Sequence, residues 1–156
     1  QLISKLRKEI PNVTLRTSLI VGFPGETSDQ FEELYNFVEK TKFDKLGVFE
    51  YSKEDGTPAA TMKNQVHHMT KKSRFNKVMA LQQQISREKM QQKLGTEQEV
   101  LIEAKSLDKK YLIGRTMLDV PDIDGVVYIK NRTLQLNEFI KCKIVDYKDY
   151  DLIGEV

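Results

Sequence analysis

The chain has 156 residues, which suffices for one ordinary hydrophobic core or for a partial core with a small module. Its formal charge of +2 is close to neutral, its first residues lack the apolar centre that is typical of a signal peptide, and no stretch reaches the roughly 18 consecutive apolar residues of a membrane span. A single cysteine excludes an internal disulfide and a site built from several cysteines of this chain, and we expect a cytoplasmic protein without a membrane partner.

The first 60 residues alternate between helical and extended patterns. Apolar residues recur at helical spacing from Leu2 to Ile10, and the apolar run at 18–21 predicts a parallel strand that is covered on both faces. Thr27 and Gln30 form a capping box at the start of a second helix, and residues 45–51 predict a second strand. This order predicts parallel βαβ units.

Each predicted strand is followed by a glycine- and proline-containing turn. Gly22-Phe-Pro-Gly25 follows the first strand, and a rigid turn at residues 56–58 follows the second. In barrels built from parallel βα units, the ligand-binding site lies at the carboxyl ends of the strands. Glu26 is interpreted as a favourable charge at the start of a helix rather than as a ligand.

The remaining chain predicts one long helix and then short strands. Residues 70–94 are good helix formers without Gly or Pro, and Gly95 is a plausible residue to end the helix. Five short strands are predicted at residues 99–103, 111–115, 126–129, 139–145 and 151–155. Strands this short favour a closed barrel, because closure removes exposed edges.

Charge separates the two regions. The 16 basic and 11 acidic residues before Gly95 give +5, whereas the 9 basic and 12 acidic residues from Gly95 onward give −3. A barrel that binds nucleic acid usually has a basic face. A local patch of Lys109, Lys110 and Arg115 is the remaining basic candidate.

Two motifs carry a resemblance to a known family. Val21-Gly-Phe-Pro-Gly-Glu-Thr27 and Tyr51-Ser-x-x-x-Gly-Thr-Pro-Ala-Ala60 resemble turns of the radical S-adenosylmethionine methylthiotransferases. The resemblance covers nearly the whole chain. It implies an α/β plus all-β protein: half of a TIM-type (β/α) barrel at residues 1–69, a connecting helix at 70–94, and a five-stranded antiparallel TRAM barrel, similar to an oligonucleotide-binding fold, at 95–156.

The same resemblance implies S-adenosylmethionine and two four-iron four-sulfur clusters as cofactors. The cluster-binding cysteines of the family are absent from this chain, which also begins inside a predicted helix without an initiating Met. We therefore expect the carboxy-terminal part of a longer enzyme, with no catalytic residue and no metal ligand in this segment. The segment alone is expected to be inactive.

Specific residues are expected at the site. The resemblance implies that the two strands form the adenine side of the cofactor pocket, with the candidate cofactor-binding residues Ser18, Ile20, Gly22, Phe23, Val48 and Phe49. The candidates on the substrate side are Arg16, Glu50, Tyr51, Asp119, Asp122 and Asp124. Arg16 would bind a carboxylate or form a structural salt bridge, Glu50 and Tyr51 would line the substrate mouth or pack in the loop, and the aspartates would bind a partner or form a turn.

Three further residues are expected to be structural. His67 and His68 are adjacent and have no cysteine or acidic residue at metal-ligand spacing, so we expect a surface linker there. Cys142 alternates with lysines in a predicted strand and is expected to be a small core residue.

The family contains two branches with different partners. One modifies the β-carbon of an aspartate in the small-subunit ribosomal protein uS12, and the other modifies an adenosine of transfer RNA. Residues 46–58 and 119–129 resemble the first branch, and the acidic barrel favours a basic protein partner over RNA. The alternatives are the transfer RNA branch and, for the segment alone, a binding module without catalysis.

Overall fold

The computed structural model describes residues 2–108, 110–130 and 134–156. The chain divides into two compact units, one up to Ile85 and the other from Ser86 onward. The elements of the first unit are α1 (Leu2–Glu9), β1 (Arg16–Val21), α2 (Ser28–Thr41), β2 (Lys45–Glu50), α3 (Pro58–Thr61) and the first part of α4 (His68–Gln92). The second unit contains the end of α4, then β3 (Glu97–Lys105), β4 (Leu112–Thr116), β5 (Val127–Ile129), β6 (Phe139–Tyr147) and β7 (Leu152–Glu155).

The first unit is built on a parallel pair of strands. β1 and β2 pair in parallel from Arg16 opposite Lys45 to Val21 opposite Glu50, which confirms the predicted βαβ order. The capping box at the start of α2 is also confirmed, because Thr27 and Gln30 each accept a hydrogen bond from the other's backbone N–H.

The core of the first unit lies on one face of this sheet. Val21 and Val48 pack there with apolar residues of α2 and α4. On the opposite face Ile20 is 55% and Phe49 is 57% exposed. The prediction that the first strand is covered on both faces is therefore wrong, because, within the described residues, α2 and α4 pack against the same side of the two-stranded sheet.

The long helix α4 crosses the boundary between the units. Val78, Leu81 and Ile85 are buried in the first unit, whereas Met90 belongs to the core of the second. The chain then turns at Gly95, which has φ +76° and donates its N–H to the Ile144 carbonyl oxygen at 2.8 Å rather than to the helix. Across the described ranges, no helix combines the length and the apolar character needed to cross a membrane.

The second unit is a closed barrel in the order β3-β4-β5-β7-β6. Among the residues that the structure describes, its buried core consists of Met90, Val100, Ile102, Leu112, Val127, Ile129, Cys142, Ile144 and Leu152. Gly154 permits this packing, since a Cβ atom there would collide with Sγ of Cys142.

The barrel is mixed rather than antiparallel throughout. All five predicted strands are present, but β5 and β7 pair in parallel, so the predicted antiparallel barrel is wrong in this one pair. The reason is geometric: around a closed ring of five strands the directions cannot alternate everywhere, and one neighbouring pair has to run in parallel.

Candidate functional site

The open face of the β1–β2 sheet brings together three predicted cofactor-binding residues. Side chains alternate between faces, and Ser18 is paired with Gly47 and Ile20 with Phe49, so all four share one face. A Cβ atom on Gly47 would lie 3.5 Å from the Phe49 ring and 3.6 Å from Ser18 Oγ. The result is an exposed apolar surface beside a hydroxyl.

Val48 does not belong to this group. Its side chain lies on the opposite face and is 6% exposed in the core of the first unit. Its expected contact with a cofactor has no support in this arrangement, because the register of β2 directs Phe49, and not Val48, to the open face.

The turn after β1 forms a groove beside the open face. Ile20 and Phe23 line a cavity of about 530 Å³ with Pro24, Gly25, Glu26, Gln30 and Leu34. Gly22 and Gly25 have φ of +74° and +85°, a region that favours glycine. The structure therefore brings the predicted residues Ile20 and Phe23 together at the end of β1.

Gly22 is enclosed by protein atoms. It is buried, and its N–H donates to Glu26 Oε1 at 3.0 Å. A Cβ atom on Gly22 would collide with the side chain of Lys71. Gly22 is predicted to bind the cofactor, but the neighbour that it accommodates in the structure is Lys71 of α4.

Glu26 connects this turn to α4. Its carboxylate accepts hydrogen bonds from Gly22 and from Nη1 of Arg74, and the Arg74 guanidinium also donates to the Glu26 carbonyl oxygen at 3.1 Å. The side chains of the ion pair are only 9% and 13% exposed. The interpretation of Glu26 as a charge at the start of a helix is therefore incomplete, since its carboxylate is committed to a buried ion pair.

Tyr51 is buried directly after β2. Its N–H donates to the Val21 carbonyl oxygen at 2.9 Å, its own carbonyl oxygen accepts from Nζ of Lys71 at 2.8 Å, and its ring makes an edge-on contact with Phe23. The Tyr51 hydroxyl is buried and has no hydrogen-bond partner within the described part of the chain. The backbone ends of β1 and β2 are thus joined by Tyr51 and Lys71.

The other two candidates near the sheet are more exposed. Arg16 is exposed at the start of β1, so burial does not impose the partner that a buried cation would need. Glu50 is half-buried and lies 3.8 Å from Nζ of Lys72. Neither residue lines the groove beside Phe23.

The three aspartates of the barrel lie in the connection between β4 and β5. Asp119 accepts from the Thr116 hydroxyl at 2.6 Å, and Asp124 accepts from the Val120 N–H at 2.7 Å, so both side chains organise the turn. Asp122 is exposed and has φ +61°. The same connection exposes Met117 and Ile123, which are 88% and 72% exposed.

The proposed basic patch is neutralised where the structure describes it. Lys110 lies 3.8 Å from Asp108, and Arg115 donates to Glu103 at 2.7 Å. Lys109 lies outside the described residues.

Cys142 takes the core position predicted for it, whereas His68 begins α4 and does not lie in a linker. Cys142 is fully buried, and burial, assisted by the charge of Glu155, raises the pKa of its thiol to about 11. His67 and His68 are exposed at the start of α4, where the His67 carbonyl oxygen accepts from Thr70 and Lys71. Among the described residues, no group of three or more potential ligands could hold a metal ion.

Sequence reasoning missed Lys71 and Arg74. Arg74 precedes Val78, Leu81 and Ile85 on the same apolar stripe of α4, at spacings of four, three and four residues. A cation on a buried stripe needs a partner. The position of Arg74 on this stripe indicates from the sequence alone that it has a buried partner, but it does not identify Glu26 as that partner.

Comparison with known proteins gives consistent matches. Residues 94–156 match the TRAM domain model. A protein of Alkaliphilus oremlandii named ribosomal protein uS12 methylthiotransferase RimO is 61% identical over 99% of this chain and 36% of its own length. Proteins of the same name from Citrifermentans bemidjiense and Pelobacter propionicus are 49% and 48% identical over 99% and 100% of this chain, and over 35% of their own lengths.

The chain therefore spans about a third of the length of these relatives. Both motifs and the barrel lie inside the matched region, which extends over almost the whole chain. Nearly the whole chain is therefore similar to a segment of proteins named ribosomal protein uS12 methylthiotransferase RimO, and its residues 94–156 are similar to the TRAM domain.

Proposed function

We propose that this chain is the part of a cytoplasmic radical S-adenosylmethionine methylthiotransferase that contributes to the cofactor site and carries a partner-binding barrel. The proposed substrate is an aspartate of the small-subunit ribosomal protein uS12. The observation that carries the proposal is the 61% identity, over 99% of the chain, to a relative that is named for this activity.

The open face of β1–β2 fits the adenine end of S-adenosylmethionine. Ile20 and Phe49 expose apolar side chains there, and Gly47 leaves space beside the Phe49 ring. Binding sites of this kind combine apolar walls with a few fixed polar groups. In the proposed site, Ile20 and Phe49 hold the ring, while Ser18 and the backbone of the turn at Phe23 supply polar contacts.

The clusters have to be held by residues outside this chain. The chain has a single cysteine, which is buried in the barrel core and cannot supply the several thiolates that such a cluster needs. When bound, S-adenosylmethionine and the two clusters supply hydrogen abstraction, sulfur and the methyl group. The role of these 156 residues is to bind and orient, so the segment alone is proposed to be inactive.

The charges of the barrel support a protein partner over transfer RNA. Three basic side chains on its surface lie beside carboxylates: Lys110 beside Asp108, Arg115 beside Glu103, and Lys141 beside Glu97 at 3.3 Å. Binding to a phosphate backbone draws on unneutralised Lys and Arg, because the released counterions provide much of the affinity. We therefore propose that the TRAM domain docks uS12.

Product analysis tests this proposal. A full-length protein that carries this segment is reconstituted anaerobically and incubated with S-adenosylmethionine, a reductant and either uS12 or transfer RNA. We expect mass spectrometry to show a methylthio group on one uS12 aspartate and none on the RNA, and the 156-residue chain serves as the matched inactive control. Modification of a transfer RNA adenosine without modification of uS12 would contradict this proposal and support the transfer RNA branch.

A further inference from the structure

One turn of α4 contacts the chain after both parallel strands. Lys71 donates to the carbonyl oxygen of Tyr51, directly after β2, at 2.8 Å. Arg74 donates to the carboxylate and the carbonyl oxygen of Glu26, in the turn after β1. The two cations are three residues apart, so they project from the same face of the helix.

Arg74 acts on the turn after β1 through Glu26. The carboxylate oxygen that pairs with Arg74 also accepts the N–H of Gly22 at 3.0 Å, so one contact chain runs from the helix to the end of the strand. The ion pair is nearly excluded from solvent, which makes the removal of one partner costly. Arg74 also lies over the Phe31 ring at 5.3 Å, which fixes its position further.

Lys71 acts on both strand ends. Its Cγ occupies the space that a side chain on Gly22 would need, and its ammonium lies 4.8 Å from the centre of the Tyr51 ring. The Tyr51 N–H in turn donates to Val21, the last residue of β1. The stem of Lys71 therefore packs at the end of β1, while its charged group binds beyond the end of β2.

We infer that Lys71 and Arg74 are positioning residues that hold the backbone at the carboxyl ends of β1 and β2 in the geometry that the cofactor needs. The inference rests on the proposed function, because it assigns these strand ends to S-adenosylmethionine. The turn between Gly22 and Gly25 contains two glycines with positive φ, and such backbone loses much conformational freedom when it is ordered. Holding it in place before binding lowers the cost of binding.

The test measures the turn and the cofactor separately. Hydrogen exchange of the Gly22 amide is followed by NMR in the 156-residue chain for the wild type, Arg74→Met and Lys77→Met, and Arg74→Lys tests rescue by charge. Lys77 is an exposed cation on the same helix and is the matched control. The affinity for S-adenosylmethionine is measured by calorimetry in the full-length protein with the same substitutions.

We expect Arg74→Met to accelerate exchange of the Gly22 amide by about tenfold to a hundredfold, the range for a lost hydrogen bond to a charged group. Its affinity for S-adenosylmethionine should fall by at least about tenfold, since disorder in the turn reduces the binding-competent population. Lys77→Met should change neither quantity. Should Arg74→Met fail to fold, Lys71→Met keeps the packed stem, removes the ammonium and is expected to lower the affinity without loss of folding.

Two results would overturn the inference while the proposed function stands. In the first, the Gly22 amide of Arg74→Met exchanges at the wild-type rate. In the second, exchange is faster but the affinity is unchanged, which makes the ion pair structural only. Failure of the wild-type full-length protein to bind S-adenosylmethionine would instead overturn the proposed function, and with it the positioning role.

Discussion

Gly22 and Lys71 occupy complementary positions, because the Lys71 side chain fills the space that a side chain on Gly22 would take. Gly22 lies in the turn directly after β1, and Lys71 lies in α4. The absence of a side chain at Gly22 therefore serves the packing of the helix as well as the left-handed backbone at φ +74°.

Gly22→Ala is expected to lower the free energy of unfolding by about 2–4 kcal/mol, since backbone strain and a steric clash act together. Chemical denaturation of the 156-residue chain measures the change. Gly25→Ala is the matched control: Gly25 has φ +85°, but nothing lies within 4 Å of its missing Cβ atom, so only the strain of about 1–2 kcal/mol applies. Equal losses at the two glycines would contradict the role assigned to Lys71.

Phe49 and Val48 are adjacent residues with opposite expected roles. Phe49→Ala removes an exposed side chain from the open face and should weaken binding of S-adenosylmethionine to the full-length protein by about tenfold or more, a loss of about 1.4 kcal/mol. Val48→Ala creates a core cavity and should lower the free energy of unfolding by about 1–3 kcal/mol. Calorimetry and denaturation of both variants check this contrast. Loss of affinity from Val48→Ala alone would place the cofactor on the other face of the sheet.

Substitutions should distinguish the structural and the partner-binding roles of the three barrel aspartates. Asp119→Asn and Asp124→Asn weaken hydrogen bonds that organise the turn, so each should lower the free energy of unfolding by about 0.5–1.5 kcal/mol. Asp122→Lys changes an exposed charge and should weaken uS12 binding by a few-fold, an effect that shrinks at high salt because exposed charges are screened. Titrations at two salt concentrations test this. If Asp122→Lys leaves the affinity for uS12 unchanged at low salt, all three aspartates serve only the structure of the turn.

Cys142 should make the barrel sensitive to alkaline pH. The thiol has a pKa of about 11 when folded against an ordinary value of 9.0, so the folded state favours the protonated form. A raised folded pKa contributes stability below the ordinary value and loses it as the pH rises through the window from 9 to 11. We expect a loss on the order of 2 kcal/mol across this window, measured by denaturation at several pH values. Cys142→Ala should lack this component, and an identical pH dependence in that variant would contradict the assignment.

Local patterns predicted the elements of this fold well. The capping box at Thr27, the long helix and the five short strands each depend on neighbouring residues, so sequence spacing is sufficient to find them. Register and contacts between distant segments are different, because they depend on which elements meet. The parallel β5–β7 pair follows from closure of the barrel, which no single strand reveals.

The same distinction applies to the candidate site. Ile20 and Phe49 could be placed near strand ends, and Ser18 within the first strand, but only the register of β1 with β2 shows that Val48 faces away from them. The ion pair between Glu26 and Arg74 joins residues that are 48 positions apart. No spacing rule connects residues at that separation.

Hydrogen exchange with and without S-adenosylmethionine tests the central claim most directly. In the full-length reconstituted protein, we predict slower exchange at residues 18–25 and 47–51 when the cofactor is bound, with no change at residues 97–155. This pattern would place the cofactor at the ends of β1 and β2. Cofactor binding that leaves exchange at both segments unchanged would contradict the account.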